Sequence, residues 1–170
     1  NAFVKRAHDP SFAAAANAAH GATGAASFYL FCHDDVELGP GPVQAMVEEA
    51  FRSNAGIVGA KLVDWDDPEH LRSVGGSIDK FGFAWPIAEP NELDQSQHDA
   101  VREAFVVSSA AMLVRCDLFA DLGGFSTDID GWGEELDLCW RARIAGGRTV
   151  VMPAAVVRHR ERAELGDPSG

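Results

Sequence analysis

The chain has 170 residues, 46% of them hydrophobic and 24% charged, which is the balance of one ordinary globular domain with a proper core. Its formal charge of -12 at pH 7 sets 14 Lys and Arg against 26 Asp and Glu. That excludes a surface built to grip a nucleic-acid backbone, which needs clustered cations, and a phosphate-bearing ligand here would need a divalent cation as mediator.

The first residues, Asn1 to Lys5, read as the end of a strand. The stretch Ser11 to Ala22 reads as a helix with Ser11 as its N-cap and Gly21 near its end. Phe28 to Cys32 is a short continuous apolar run, the pattern of a strand buried on both faces. Pro42 to Asn54 repeats Val43, Met46, Val47, Ala50 and Phe51 at helical spacing, and Ala55 to Val63 is a second apolar strand. Helix and strand alternate, so the expected class is α/β with a largely parallel sheet.

Between Asp64 and Asp99 lie Pro, Gly and several aromatics without sustained periodicity. This reads as a long excursion with a hairpin around Val74 to Gly82, and excursions of that length are often functional. Strand character returns at Phe105 to Val114. A short helix from Cys116 to Leu122 stops at Gly123-Gly124, and a second from Leu136 to Ala145 stops at Gly146-Gly147. Two short strands, Arg148 to Pro153 and Ala155 to His159, close the pattern, followed by a polar tail from Arg160. One domain over residues 1–160, with 161–170 as tail, is the expected organisation. The three cysteines, Cys32, Cys116 and Cys139, are far apart and odd in number, which favours buried thiols over a disulfide. No run of 18 apolar residues and no signal-peptide pattern occurs within these residues.

Three places carry candidate chemistry. His33-Asp34-Asp35 follows directly on a strand end, where ligands of open α/β sheets bind, and a carboxylate there suits Mg²⁺ or Mn²⁺. An ordinary acidic turn explains the same residues, with His33 open as a ligand but better read as a surface histidine. Glu134, Glu135 and Asp137 open the helix that Leu136, Trp140 and Ile144 define. The helix dipole favours acids at that position by about 0.3–1 kcal/mol each, but neighbouring like charges also raise a carboxylate toward general-base duty. His159 ends the last strand, and its interest depends on whether the fold returns it to Asp35.

Taken in order, these segments resemble the family-two glycosyltransferases of the GT-A fold. "PSFAAAANAAHGATGAASFYLFCHDDVEL" is similar to that family's Asn-containing helix and the strand ending in its Asp-x-Asp metal motif. "RCDLFADLGGFSTDID" is similar to its arginine, short helix and Gly-Gly-Phe segment. "GWGEELDLCWRARIAGGRTVVMPAAVVRH" is similar to its acidic motif, its "DLCWRA" helix and its closing strand with a histidine.

The resemblance implies a Rossmann-like, mostly parallel sheet flanked by helices. It implies that the family's first strands, which form the base pocket, precede the helix of Asn17 and are missing here. It further implies Asn17, Asp34 and Asp35 as cofactor-binding residues toward the sugar nucleotide, and Asp35 with His159 as ligands of Mn²⁺ or Mg²⁺. Glu135 becomes the catalytic base, beside Glu134 and Asp137, and Trp132 a stacking face for the acceptor. Two positions depart from the family pattern. His33 replaces the first aspartate of the metal motif, which puts a nucleotide contact in question. Glu135 stands where an aspartate is usual, displacing the carboxylate by about 1.5 Å unless the backbone compensates.

The implied activity is metal-dependent, inverting transfer from a nucleotide-diphosphate sugar to a hydroxyl of a saccharide or lipid-linked acceptor. The implied location is cytoplasmic, at the cytoplasmic face of a membrane if parts outside this chain anchor it. A non-catalytic sugar-nucleotide or glycan-binding domain that kept the fold is the alternative, supported by the His33 and Glu135 departures. A phosphoryl-transfer domain is disfavoured because no GxxxxGK[ST] loop is present.

Overall fold

The computed structural model describes residues 11–20, 26–129 and 133–160. Its elements are α1 (Phe12–His20), β1 (Phe28–Cys32), β2 (Val36–Leu38), α2 (Pro42–Ser53), β3 (Ile57–Asp64), β4 (Leu71–Ser73), β5 (Gly76–Ile78), β6 (Ala84–Pro86), β7 (Arg102–Glu103), β8 (Ala111–Arg115), α3 (Cys116–Asp121), α4 (Glu134–Ile144) and β9 (Thr149–His159). The strand expected at Asn1 to Lys5, Trp132 and the tail at 161–170 lie outside the described residues.

The central sheet has the order β1-β8-β3-β9-β2, with β4 added to β3 and β7 to β9. Side chains alternate between its faces, so each central strand feeds two cores. Ile57, Met112, Val114 and Val151 pack with Phe119, Phe125, Leu138 and Ala142 on the side of α1, α3 and α4. Val58, Leu62, Leu113 and Val157 pack with Met46 and Ala50 of α2 on the other side. Helices thus flank a central sheet, as the α/β reading requires.

The sheet is mixed where a mostly parallel one was expected. β1, β3 and β9 share a direction, and β3 pairs with β9 in parallel, but β8 runs antiparallel between β1 and β3. A parallel neighbour needs a crossover that carries the chain back across the sheet. The excursion after β3 contains only short strands and turns, so β8 runs back instead.

A second difference concerns the end of the chain. Pro153 cannot donate to a ladder, and the sequence around it reads as two strands. The structure has one strand, β9, with a bulge: Met152 partners Ala60, but Val156 partners Lys61. Residues 153–155 are absorbed there, and the ladder resumes beyond them.

The middle excursion folds as expected around a hairpin, β5 and β6, which pair antiparallel from Gly76↔Pro86 to Ile78↔Ala84. Its seat demands small residues. A Cβ on Gly76 would stand 2.8 Å from Val106 Cγ1, and Gly75 adopts φ +85° beside Val151 and Ala104. Backbone bonds between Gly76 and Val106, with Phe105 N–H donating to Gly76 O, fasten the hairpin to the segment before β8.

α1 begins at Ser11, whose hydroxyl accepts from Ala14 N–H at 3.2 Å, the expected N-cap. Asn17 spans from α1 to the turn after α3, donating to Phe125 O at 2.8 Å and accepting from Phe125 N–H at 2.9 Å. Gly124, at φ +80°, leaves room for it, since a Cβ there would meet Asn17 Oδ1 at 2.4 Å. Asn17→Ala strands a part-buried N–H and C=O together. Urea unfolding of the variant is expected to show a loss of about 1–3 kcal/mol.

Candidate active site

The carboxyl ends of β1, β3 and β9 meet at one end of the sheet, and the ladders decide what stands there. β1 pairs with β8 through Cys32↔Ala111, and His33 N–H continues that ladder to Ala110 O at 3.3 Å. β2 pairs with β9 through Val36↔His159, and Arg160 N–H extends that ladder to Asp35 O at 3.0 Å. Residues 33–35 therefore bridge two separate strand ends across β3. His33, Asp35 and His159 are brought to one point.

Among the described residues these three form a group whose candidate ligand atoms all lie within 4.8 Å of one another. His159 Nε2 is 3.2 Å from Asp35 Oδ1, and both side chains are 10% exposed. The rings of His33 and His159 stand edge to face with centroids 5.5 Å apart. Ligands at about 2.1 Å from one ion are separated by roughly 3 Å when adjacent and about 4.2 Å when opposite. The cluster offers one carboxylate and two imidazoles close to that spacing, a donor set open to a divalent ion.

His33 is the correction. It is half-buried, not a surface histidine, and its Nε2 is 3.1 Å from Ser109 Oγ. Burial lowers its pKa and the neighbouring His159 lowers it further, against the opposing pull of Asp35, Asp34 and Glu134. A histidine held neutral is a ready ligand. Asp34, between the two inward residues, is exposed in the turn and outside the cluster.

The acidic residues of α4 separate into different roles. Asp137 receives Arg141 Nε at 2.8 Å, while the same guanidinium donates to Leu122 O and Gly124 O. That pair bolts α4 to the Gly123-Gly124 turn, which in turn holds Asn17. Asp137 and Asn17 are thus engaged in positioning contacts of the protein itself. Glu134 lies within electrostatic reach of His33.

Glu135 is half-buried and lines a cleft of about 240 Å³ between α4, the β5–β6 hairpin and residues 106–108. Burial pushes its pKa up and Glu134 adds to this, while a bond from its own backbone N–H opposes them. The cleft and the His-Asp-His cluster adjoin through the chain itself: Ser108 lines the one and Ser109 touches His33 in the other. Sequence reading named Asp35, His159 and Glu135. It weighed His33 as a ligand but preferred a surface histidine, and it missed the hairpin wall of the cleft, for which spacing carried no signal.

No protein-family model matches the chain. Curated relatives include the pre-mycofactocin glycosyltransferase of Mycobacterium tuberculosis, 38% identical over 90 residues, covering 48% of this chain and 19% of that protein. They include N-acetylglucosaminyl-diphospho-decaprenol L-rhamnosyltransferase of the same organism, 29% identical over 157 residues, covering 82% of this chain and 49% of that one. Mouse polypeptide N-acetylgalactosaminyltransferase 4 is 28% identical over 148 residues, covering 81% and 25%. The chain thus spans half or less of the length of these relatives. Among solved structures, GalNAc-T7 with UDP, GalNAc and Mn²⁺ superposes with a TM-score of 0.68 at 14% identity, covering 89% of this chain and 31% of that one. The described chain has the GT-A fold, and its sequence relatives are glycosyltransferases.

Proposed function

We propose that this chain is the catalytic portion of a metal-dependent, inverting glycosyltransferase that moves a sugar from a nucleoside-diphosphate donor to a hydroxyl of a saccharide or lipid-linked acceptor. The observation that carries the reading is the convergence of His33, Asp35 and His159 beside the Glu135 cleft. The likeness to GalNAc-T7, whose structure holds UDP, GalNAc and Mn²⁺, supports the metal and nucleotide-sugar part of the reading.

His33, Asp35 and His159 are the residues that would hold Mn²⁺. Held there, the ion would supply charge neutralisation for a departing diphosphate. Glu135 accepts the proton of the acceptor hydroxyl while that oxygen attacks the anomeric carbon, a contribution of about 10²–10⁴-fold. Asp34, exposed at the rim, is assigned to the ribose or sugar of the donor. Trp132, outside the described residues, keeps its assignment as an acceptor contact. Among the described residues no helix is long and apolar enough to cross a membrane. An anchor in other parts of a longer protein would bring the site to a cytoplasmic membrane face, where lipid-linked acceptors lie.

Calorimetric titration with UDP in the presence and absence of Mn²⁺ tests the site. UDP binding that requires Mn²⁺ and disappears in Asp35→Asn is expected; binding indifferent to both would remove the metal assignment. The same titration of His33→Ala is expected to show Mn²⁺ affinity lowered about 10–100-fold, the loss of one nitrogen ligand.

Glu135→Gln tests the base. With the full-length protein, transfer should fall at least tenfold while donor affinity holds. The raised pKa also fixes a stability effect with a definite sign. The folded state favours protonated Glu135, so wild-type stability declines as pH rises from the ordinary glutamate value through the raised one. Glutamine removes that decline. The variant should therefore melt above the wild type at pH 7 and match it below about pH 4, by thermal unfolding across pH.

A further inference from the structure

The β5–β6 hairpin carries an arrangement that the metal site and the base do not use. Trp85 is 58% exposed, yet it lines the same cleft as Glu135 and is the one aromatic among the lining residues. Asp79 Oδ1 accepts from Phe81 N–H at 2.8 Å and Phe83 N–H at 3.0 Å, so the carboxylate organises the turn that leads into Trp85. The indole is near enough to help hold the Asp79 carboxyl below its usual range.

The rest of the cleft is small and smooth. Gly75, Gly76 and Ala84 line it with small residues, and Ser73 and Ser108 supply hydroxyls. Its volume of about 240 Å³ is below the roughly 300 Å³ at which drug-sized sites begin. One sugar ring fits such a space. Sugar rings carry C–H groups on one face, which pack on an aromatic plane, and hydroxyls on the edge, which bond to serines and a carboxylate.

We infer that Trp85, carried on the turn that Asp79 organises, is a platform on which the acceptor's sugar ring stacks, presenting one hydroxyl to Glu135, and that it sets which acceptors are used. This rests on the transferase reading above and names its acceptor subsite. Continuity supports it: the hairpin is fastened through Gly76 to Val106, and that segment runs through the cleft to Ser109 at His33. Stacking on one aromatic ring is worth about 1–3 kcal/mol by alanine substitution, so the subsite should bind single sugars weakly but measurably.

The test uses chain labelled with 5-fluorotryptophan and ¹⁹F spectra, with the Trp85 resonance identified by its absence in Trp85→Phe. The probes are the methyl glycosides of glucose, galactose, mannose, rhamnose, N-acetylglucosamine and N-acetylgalactosamine. At least one should shift the Trp85 line saturably. By calorimetry, Trp85→Ala should weaken that glycoside about tenfold or more, Trp85→Phe by about threefold or less, and Asp79→Ala by an intermediate factor. No shift with any glycoside, or unchanged affinity in Trp85→Ala, overturns the inference. So does a Trp85 shift produced by phosphatidylcholine vesicles and by no sugar, which would make the hairpin a lipid contact. Mn²⁺ binding, followed by electron paramagnetic resonance in the same samples, separates the two readings. Retained Mn²⁺ binding with sugar binding lost in Trp85→Ala supports the inference. Sugar binding at Trp85 without any Mn²⁺ binding would sink the metal-dependent transferase while leaving a glycan-binding subsite, and with it would fall the catalytic role given to the ring.

Discussion

The register of β9 is the constraint on which the site depends. This strand pairs with β3 along its whole length, receives β7 near its start and β2 near its end, and delivers His159 as its last residue. Its final residues alternate buried and exposed, with Ala155, Val157 and His159 inward and Val156 and Arg158 outward. A slip of one residue would turn His159 to solvent and Arg158 inward. The bulge at 153–155 is therefore more than tolerance of a proline. It sets the count that puts a histidine, and not an arginine, beside Asp35.

The excursion between β3 and β8 is held to the sheet by charge as well as by packing. Lys61, 3% exposed in β3, donates to Asp94 at 2.7 Å and to Asp99 at 2.5 Å. Burial alone would lower its pKa, but the two carboxylates hold it above the ordinary value. A buried ammonium left without its partners would be strongly destabilising, so the loop carrying both acids is committed to one position. That commitment matters because the same excursion forms the hairpin wall of the cleft. It also accounts for part of the acidity of the chain: Asp94 and Asp99 serve the fold, while Asp35, Glu134 and Glu135 face the site.

Much of this was legible in the sequence because local chemistry and global order agreed. The strand ending in His33-Asp34-Asp35 and the helix opening with Glu134-Glu135 were found from apolar runs and capping signals alone. His159 could be named, but its return to Asp35 depends on the Val36↔His159 pairing, a contact between residues more than a hundred positions apart. His33 looked like a lost aspartate because a motif is read along the chain. Only the placement of Ser109 and His159 around it brings its ring into the cluster with Asp35. Trp85 was invisible for a different reason. An exposed aromatic in an irregular segment has no periodicity, and its value comes from Asp79 and from a cleft that exists only once the hairpin docks.

The second departure from the family pattern falls in the same cleft. A glutamate at position 135 is longer than the aspartate usual there, and an error of about 1 Å can cost roughly 10²-fold in rate. Glu135 stands half-buried at the start of α4, where burial and Glu134 push its pKa up while the backbone N–H beside it opposes them. The added methylene lets its carboxylate stand farther from that backbone donor and closer to the cleft that Trp85 and Ser108 line. An aspartate at this position would stay nearer the helix start, whose N–H groups favour the ionised form. In the proposed reaction, reach and basicity therefore change together with the length of this one side chain.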